Sequence, residues 1–343
     1  MVGKKSFIKK ILVVIFSLVL LVGCAKAPTS GEQSTENAGD VQKEESIKIG
    51  ITQIVEHPAL DSAREGFIAA LESEGFKDGE KIEIEFQNAQ GDMPTAQTIA
   101  ENFASQKKDM ILAIATPTAQ AAFNATKEIP ILITAVTDPV EAGLVESWEK
   151  SGTNVAGTSD ATPIEKQFEL LKKLIPDAQK VGILFNTSEA NSEIQIHRAK
   201  EIAPKFDIEI ITLGVTNVNE VPQALDAILK KVDALYIPTD NMIASAMPLV
   251  SAKSIEKKIP VIGAEKAHVE AGALATEGID YYKLGFQTGL AAVEVINGKN
   301  PKDMAITTLE DTALMINMEV AKALNIEIPE DIKKEAELIK DGE

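Results

Sequence analysis

Apolar and polar positions along the chain fall into short alternating blocks. Met110–Ala115 and Pro130–Val136 are apolar runs of strand length without alternation, the pattern of strands buried on both faces of a parallel sheet. Each run ends in Thr or Asp followed by Pro and then enters a helical pattern. Thr116-Pro117 and Asp138-Pro139 therefore read as N-caps with Pro at the first helical position. Two such units in succession are expected to set two helix N-termini side by side at the carboxyl edge of one sheet. Open α/β sheets bind ligands at that edge.

The same grammar runs through the rest of the chain. Ile47–Thr52 is a predicted strand, Leu60–Glu74 an amphipathic helix, and Lys81–Phe86 alternates as an edge or half-exposed strand would. After Pro94–Gln106 (helix) and a short extended stretch at Val155–Thr158, the pattern begins again. Helices are predicted at Pro163–Leu174, Glu189–Ala203, Glu220–Leu229 and Met242–Lys257. Strands fall at Val181–Phe185, Ile208–Leu213, Ala234–Pro238 and Val261–Gly263. One βα array followed by another predicts an α/β protein of two Rossmann-like lobes with parallel sheets. The tail is less regular: strands at Ala273–Thr276, Ala305–Leu309 and Leu314–Asn317, helices at Leu284–Ile296, Glu319–Leu324 and Glu330–Ile339. Such a tail would have to cross between the lobes.

The first residues are a different polymer. Lys4, Lys5, Lys9 and Lys10 precede Ile11–Val22, twelve apolar or small residues, and then Gly23-Cys24. As a helix that core would span only ~18 Å, short of a bilayer's hydrocarbon thickness, so it reads as a secretory leader. Leu21-Val22-Gly23-Cys24 resembles the lipobox of bacterial lipoproteins, which implies lipid attachment at Cys24 and an extracytoplasmic, membrane-anchored protein. Cys24 is the only cysteine in the sequence, so no internal disulfide can form. Residues 25–46 are polar, without apolar periodicity, and read as a tether.

With 45% apolar and 25% charged residues the rest is globular in composition, and a net charge of −18 argues against nucleic-acid binding. His57, His197 and His268 fall in no metal-ligand spacing, and there is no G-x-S-x-G elbow, Walker loop or G-x-G-x-x-G fingerprint. No enzyme, metal or cofactor is expected.

Four segments then carry a family signal: TAVTDPVEAGLV (134–145), GTNVAGTSD (152–160), FNTSEANSEIQ (185–195) and IPTDNMI (237–243). In this order they resemble the lipid-anchored ABC-transporter substrate-binding proteins of the tryptophan/tyrosine type. Thr153 and Ala156 depart from the residues common there. The resemblance implies a type I periplasmic-binding fold with three crossovers. Lobe 1 would comprise 47–158 and 270–303, and lobe 2 would comprise 159–269 and 304–343, after a leader at 1–23 and a tether at 24–46. It also implies an aromatic amino acid as ligand, an ABC permease and ATPase as partners, and a monomeric receptor that closes on its ligand. A sensory lipoprotein that signals to a membrane receptor remains an alternative.

An α-amino acid needs an anion site and a cation site. Thr116, Thr118 and Ala119 at a helix start are candidates for its carboxylate, although Thr116 also suits a plain cap. Asp160 at a crossover, Asp240 at a strand end and Glu265 at another are candidates for its ammonium. Asp138 and Asp240 suit a capping role equally well. Thr137, Asn191, Asn241 and His57 lie at the same predicted edges and complete the set. Tyr281 and Tyr282 could line a pocket or pack in the core.

Overall fold

The computed structural model describes residues 46–309 and 311–340; the expected leader, Cys24 and the tether as far as residue 45 lie outside them. The first lobe opens with β1 (Ile47–Gln53), α1 (Pro58–Ser73), β2 (Ile82–Asn88), α2 (Met93–Ser105), β3 (Met110–Ile114), α3 (Thr116–Ala125), β4 (Ile131–Thr134) and β5 (Val155–Ser159). The second lobe contributes α4 (Ile164–Leu174), β6 (Lys180–Asn186), α5 (Ala190–Ile202), β7 (Glu209–Val215), α6 (Val221–Ile228), β8 (Ala234–Ile237), α7 (Asn241–Ser245), α8 (Met247–Glu256), β9 (Val261–Gly263), α9 (Lys266–Glu270) and β10 (Ala275–Gly278). The chain returns to the first lobe for α10 (Tyr281–Ile296) and β11 (Ile306–Thr308). It ends in the second with β12 (Ala313–Asn317), α11 (Met318–Leu324), α12 (Glu330–Glu335) and β13 (Glu337–Ile339).

The six strands of the first sheet run β11-β5-β4-β3-β1-β2, all parallel, with the alternating β2 at the edge as its pattern predicts. The seven of the second run β13-β12-β10-β9-β8-β6-β7, and only the β10–β12 pair is antiparallel. Both sheets reverse their strand order beside the first strand of their array, between β1 and β3 and between β6 and β8. That is where a doubly wound sheet opens a crevice at its carboxyl edge. Three crossovers join the lobes: after β5, after β10 and after β11. This is the type I periplasmic-binding fold. Within the second sheet Ala234 and Tyr236 face one apolar cluster and Leu235 and Ile237 another, so alternate residues feed helices on both faces.

Four local expectations give way. Asp138 begins no helix: Gly143, at φ +73°, ends the segment after one turn, closed by bonds from Ala142 N to Asp138 O and Leu144 N to Pro139 O. The helix predicted over 242–257 breaks at Ala246, because Pro248 at the start of α8 has no N–H to continue it. The last helix stops at Glu335, and Glu337–Ile339 pairs with β12 instead, tertiary pairing overriding local propensity. The lobe limits also differ from those expected. The strand at Ala275–Gly278 pairs with β9 and β12, inside the second sheet, whereas Ile306–Thr308 pairs with β5 in the first.

α10 follows the second crossover and lies against α1, with glycines at the crossing. A Cβ on Gly285 would fall 1.8 Å from Ala63 O, and one on Gly66 would fall 2.0 Å from Tyr282 O. Only hydrogen allows the two backbones to approach so closely. Among the described residues no helix is long and apolar enough to cross a membrane. Replacing Gly285 by Ala should therefore lower stability by about 3 kcal/mol, read as a shift in the denaturant midpoint. A midpoint within error of wild type would contradict this account of the crossing.

Candidate functional site

The carboxyl edges of the two sheets face each other across the crossovers, and polar residues from both converge there. His57 follows β1 and caps α1; Ala135 follows β4; Asp160 follows β5; Thr239, Asp240 and Asn241 follow β8; Glu265 follows β9; Tyr281 follows β10. Together with Leu60 and Ala244 they line a hollow of about 10 Å³ between the lobes. In this arrangement of the lobes it holds no more than a single water. Beyond Asn241 lies a wider cavity of about 660 Å³, walled on one side by Ile54, Val55, Met93 and Pro117 and on the other by Glu189 and Met242.

The buried carboxylates divide by how well they are satisfied. Asp240 is spent within its own lobe: its Oδ2 accepts from Asn186 N at 2.6 Å and Ser192 Oγ at 2.7 Å, its Oδ1 from Ile243 N at 2.9 Å. It caps α7, the structural alternative the sequence left open. Burial, together with the charge of Glu189, pushes its carboxyl up to about 7. Glu189 accepts from Asn186 Nδ2, Met242 N, Asn191 Nδ2, Asn241 N and Asn241 Nδ2. Both side-chain N–H groups of Asn191 are thus taken, the second by Thr239 O at 2.8 Å, and Asn241 spends one of its two on Glu189. Asn191 Oδ1 remains free.

Asp160 and Glu265 differ. Asp160 Oδ2 accepts from Tyr281 Oη at 2.7 Å, tying the first crossover to the second, but its Oδ1 is buried without a partner. Burial drives its carboxyl up to about 6. Glu265 Oε1 lies 3.2 Å from His268 Nε2, close enough for an ion pair but misaligned for a hydrogen bond. Burial raises the Glu265 carboxyl, yet His268 and His57 outweigh it and hold it below its ordinary value. His57 has both ring nitrogens without a hydrogen-bond partner, and burial depresses its pKa. Two acid oxygens and an imidazole without hydrogen-bond partners around one enclosed hollow suit an organic cation or a set of hydrogen-bond donors. Among the described residues no cluster of three His, Cys, Asp or Glu could hold a metal ion.

At α3 the reading shifts by one residue. Ala115, at φ +81° and ψ 154°, is the N-cap, Thr116 the first helical residue, and Pro117 the second. Ala119 N donates to Ala115 O at 3.1 Å, so its N–H is not available to a ligand as the sequence suggested. Thr118 Oγ1 is spent on Ile114 O and Ala115 O. What remains are the first-turn N–H groups of Thr116 and Thr118, which have no intrahelical acceptor, and the buried, unpartnered Thr116 hydroxyl. Ala115 and Ala135 (φ +56°) both hold left-handed backbone, at about 1–2 kcal/mol each, immediately after the two central strands.

Two expected contacts turn out to bridge the lobes. Thr137 Oγ1 lies 3.3 Å from Thr239 Oγ1. Asp138 Oδ1 accepts from Val140 N and Glu141 N, and its Oδ2 from Arg198 on α5 of the opposite lobe. Sequence reasoning missed Arg198, Glu189 and Gln195, whose side-chain amide donates to Thr239 Oγ1 at 2.7 Å. Glu189 follows a strand end, as Asp240 does, and could have been found by that signal. Arg198 has no local signal at all.

The family described as ABC transporter substrate binding protein matches residues 48–340. A curated protein named Tyrosine-binding protein, from Clostridioides difficile (strain R20291), is 49% identical over 95% of this chain and 94% of its own length. A crystal structure of an ABC domain in complex with L-Trp from Streptococcus pneumonia superposes with a TM-score of 0.84 at 37% identity, covering 86% of this chain and all of that one. A ligand-free, open structure of a substrate-binding protein with adhesive properties from Clostridium difficile is 55% identical over 85% of this chain and 99% of that one, yet scores only 0.66. The better superposition at lower identity places the lobes nearer the L-Trp-bound arrangement than the open one, in keeping with the bonds that bridge them here. Matched along nearly all of its described length, this protein is a member of the ABC transporter substrate-binding protein family, whose members are solute receptors rather than enzymes.

Proposed function

We propose that the protein is the lipid-anchored, extracytoplasmic receptor of an ABC importer and that it captures an aromatic amino acid, tyrosine or tryptophan, between its lobes. The observation that carries the reading is a pair of buried oxygens that accept no hydrogen bond, Asp160 Oδ1 and Glu265 Oε1 (the second beside His268), on residues lining one interlobe hollow. An ammonium group would satisfy both with charge-assisted hydrogen bonds. The amides of Thr116 and Thr118, with the Thr116 hydroxyl, suit the ligand carboxylate, since a helix N-terminus favours an anion. The apolar share of the adjoining cavity, from Ile54, Val55, Met93 and Met242, suits a phenol or indole ring. The relatives named for tyrosine and solved with L-Trp speak for the same ligand class. The hollow is enclosed by residues of both lobes, so a ligand enters by opening at the three crossovers and is held by closure over it. The closed form would then dock on a permease served by an ATPase. Residues 1–23 act as the leader, Cys24 as the lipid-bearing first residue, and 24–46 as the tether.

Titration calorimetry should show L-tyrosine or L-tryptophan binding and lysine, glutamate and glucose failing to bind; silence with all aromatic amino acids would end this reading. Asp160→Asn should weaken binding about 10–100-fold, the cost of one charge-assisted bond.

The pH dependence follows in sign. With a carboxyl pKa of about 6 in the unliganded protein, Asp160 pairs with ammonium only once ionised. Affinity should therefore rise from about pH 5 to pH 7 and level off above. Asp240 ionises in the same sense. Asp160→Asn should flatten most of this slope, and an unchanged slope would remove Asp160 from the site. For the anchor, Cys24→Ala should abolish incorporation of labelled palmitate and release the protein from the membrane fraction. Retention of label would exclude Cys24 as the attachment point.

A further inference from the structure

The structure assigns to Arg198 a role that no ligand contact explains: an interlobe latch that sets binding affinity from outside the pocket. Arg198 projects from α5 in the second lobe, and its guanidinium donates to Asp138 Oδ2 and, at 3.4 Å, to Glu141 Oε1, both in the first lobe. Among the described residues this is the one ion-paired cluster that joins the lobes, every other salt bridge lying within a single lobe. Arg198 lines neither the hollow nor the wider cavity.

The pair is built to matter only in the closed arrangement. The Asp138 side chain is 5% exposed there, whereas Arg198 is 34% exposed. Asp138 Oδ1 is already spent on Val140 N and Glu141 N, so the charge on Oδ2 depends on the guanidinium alone. Parting the lobes returns both groups to water, where an ion pair is worth little; closing them confines the carboxylate and leaves Arg198 as its counter-ion. Removing Arg198 therefore penalises the closed state twice, through the lost bond and through a buried charge left without its partner. The neutral Thr137–Thr239 contact cannot replace it. A ligand that binds across the cleft gains whatever the latch contributes to closure.

The test separates the latch from the identity of the ligand. In the Cys24→Ser protein, spin labels at Lys77→Cys and Lys230→Cys report the interlobe distance without ligand. Arg198→Gln should shift that distribution toward longer distances, and Asp138→Asn, which keeps the turn-capping oxygen and drops the charge, should do the same. Glu141→Gln should shift it less. In stopped-flow with L-tryptophan, a probe that rests on the function proposed above, Arg198→Gln should raise the dissociation rate roughly tenfold. The association rate should change far less, and the double variant with Asp138→Asn should be no worse than either alone. Should L-tryptophan fail to bind the wild type, the ligand reading falls while the distance measurement still decides the latch. Unchanged distances in both Arg198→Gln and Asp138→Asn, or additive effects in the double variant, would overturn it.

Discussion

Burying a carboxylate is expensive unless the protein itself replaces its water, and besides Asp138, which Arg198 answers, four acid side chains are buried where the two sheets face each other. The lobes meet this constraint unequally. Glu189 and Asp240 are encircled by amides and a hydroxyl from β6, α5 and α7, elements of one lobe, and so form a rigid wall. Asp160 keeps one oxygen with no partner, and Glu265 one that accepts no hydrogen bond. The same chemistry that makes the wall stable makes the other pair receptive. The difference lies only in how many donors the surrounding loops supply.

This inequality explains why the architecture was plain in the sequence and the site only partly so. Strands buried on both faces announce themselves as unbroken apolar runs, and β3 and β4 were visible for that reason. The strand ends were equally legible, since Thr116, Asp138, Asp240 and Glu265 all stand there. Their roles were not. Whether Asp240 caps or binds depends on Asn186 and Ser192, some fifty residues away in the chain. Whether Asp138 starts a helix depends on the backbone angle of Gly143, which pattern alone does not report. Arg198 meets Asp138 across sixty positions and two lobes, a contact that follows from topology and from nothing local.

The two alanines with left-handed backbone make a related point. A residue with a Cβ accepts such a conformation only where the surroundings over-determine it. Ala115 and Ala135 hold it at the ends of adjacent central strands, the point from which the loops of the first lobe depart toward the cleft. The bend at Ala115 starts α3 a residue early and leaves the first-turn amides of Thr116 and Thr118 without intrahelical acceptors. Sequence patterning detects alanine as a helix former and misses this use of it.

The glycine crossing of α1 and α10 has a mechanical consequence. α10 begins at Tyr281, whose hydroxyl grips Asp160, and runs pressed backbone to backbone along the helix that His57 caps. With no side chain at the crossing to deform, the two helices have little room to slide. The starts of the two helices, at His57 and Tyr281, are therefore expected to move together when the jaws swing.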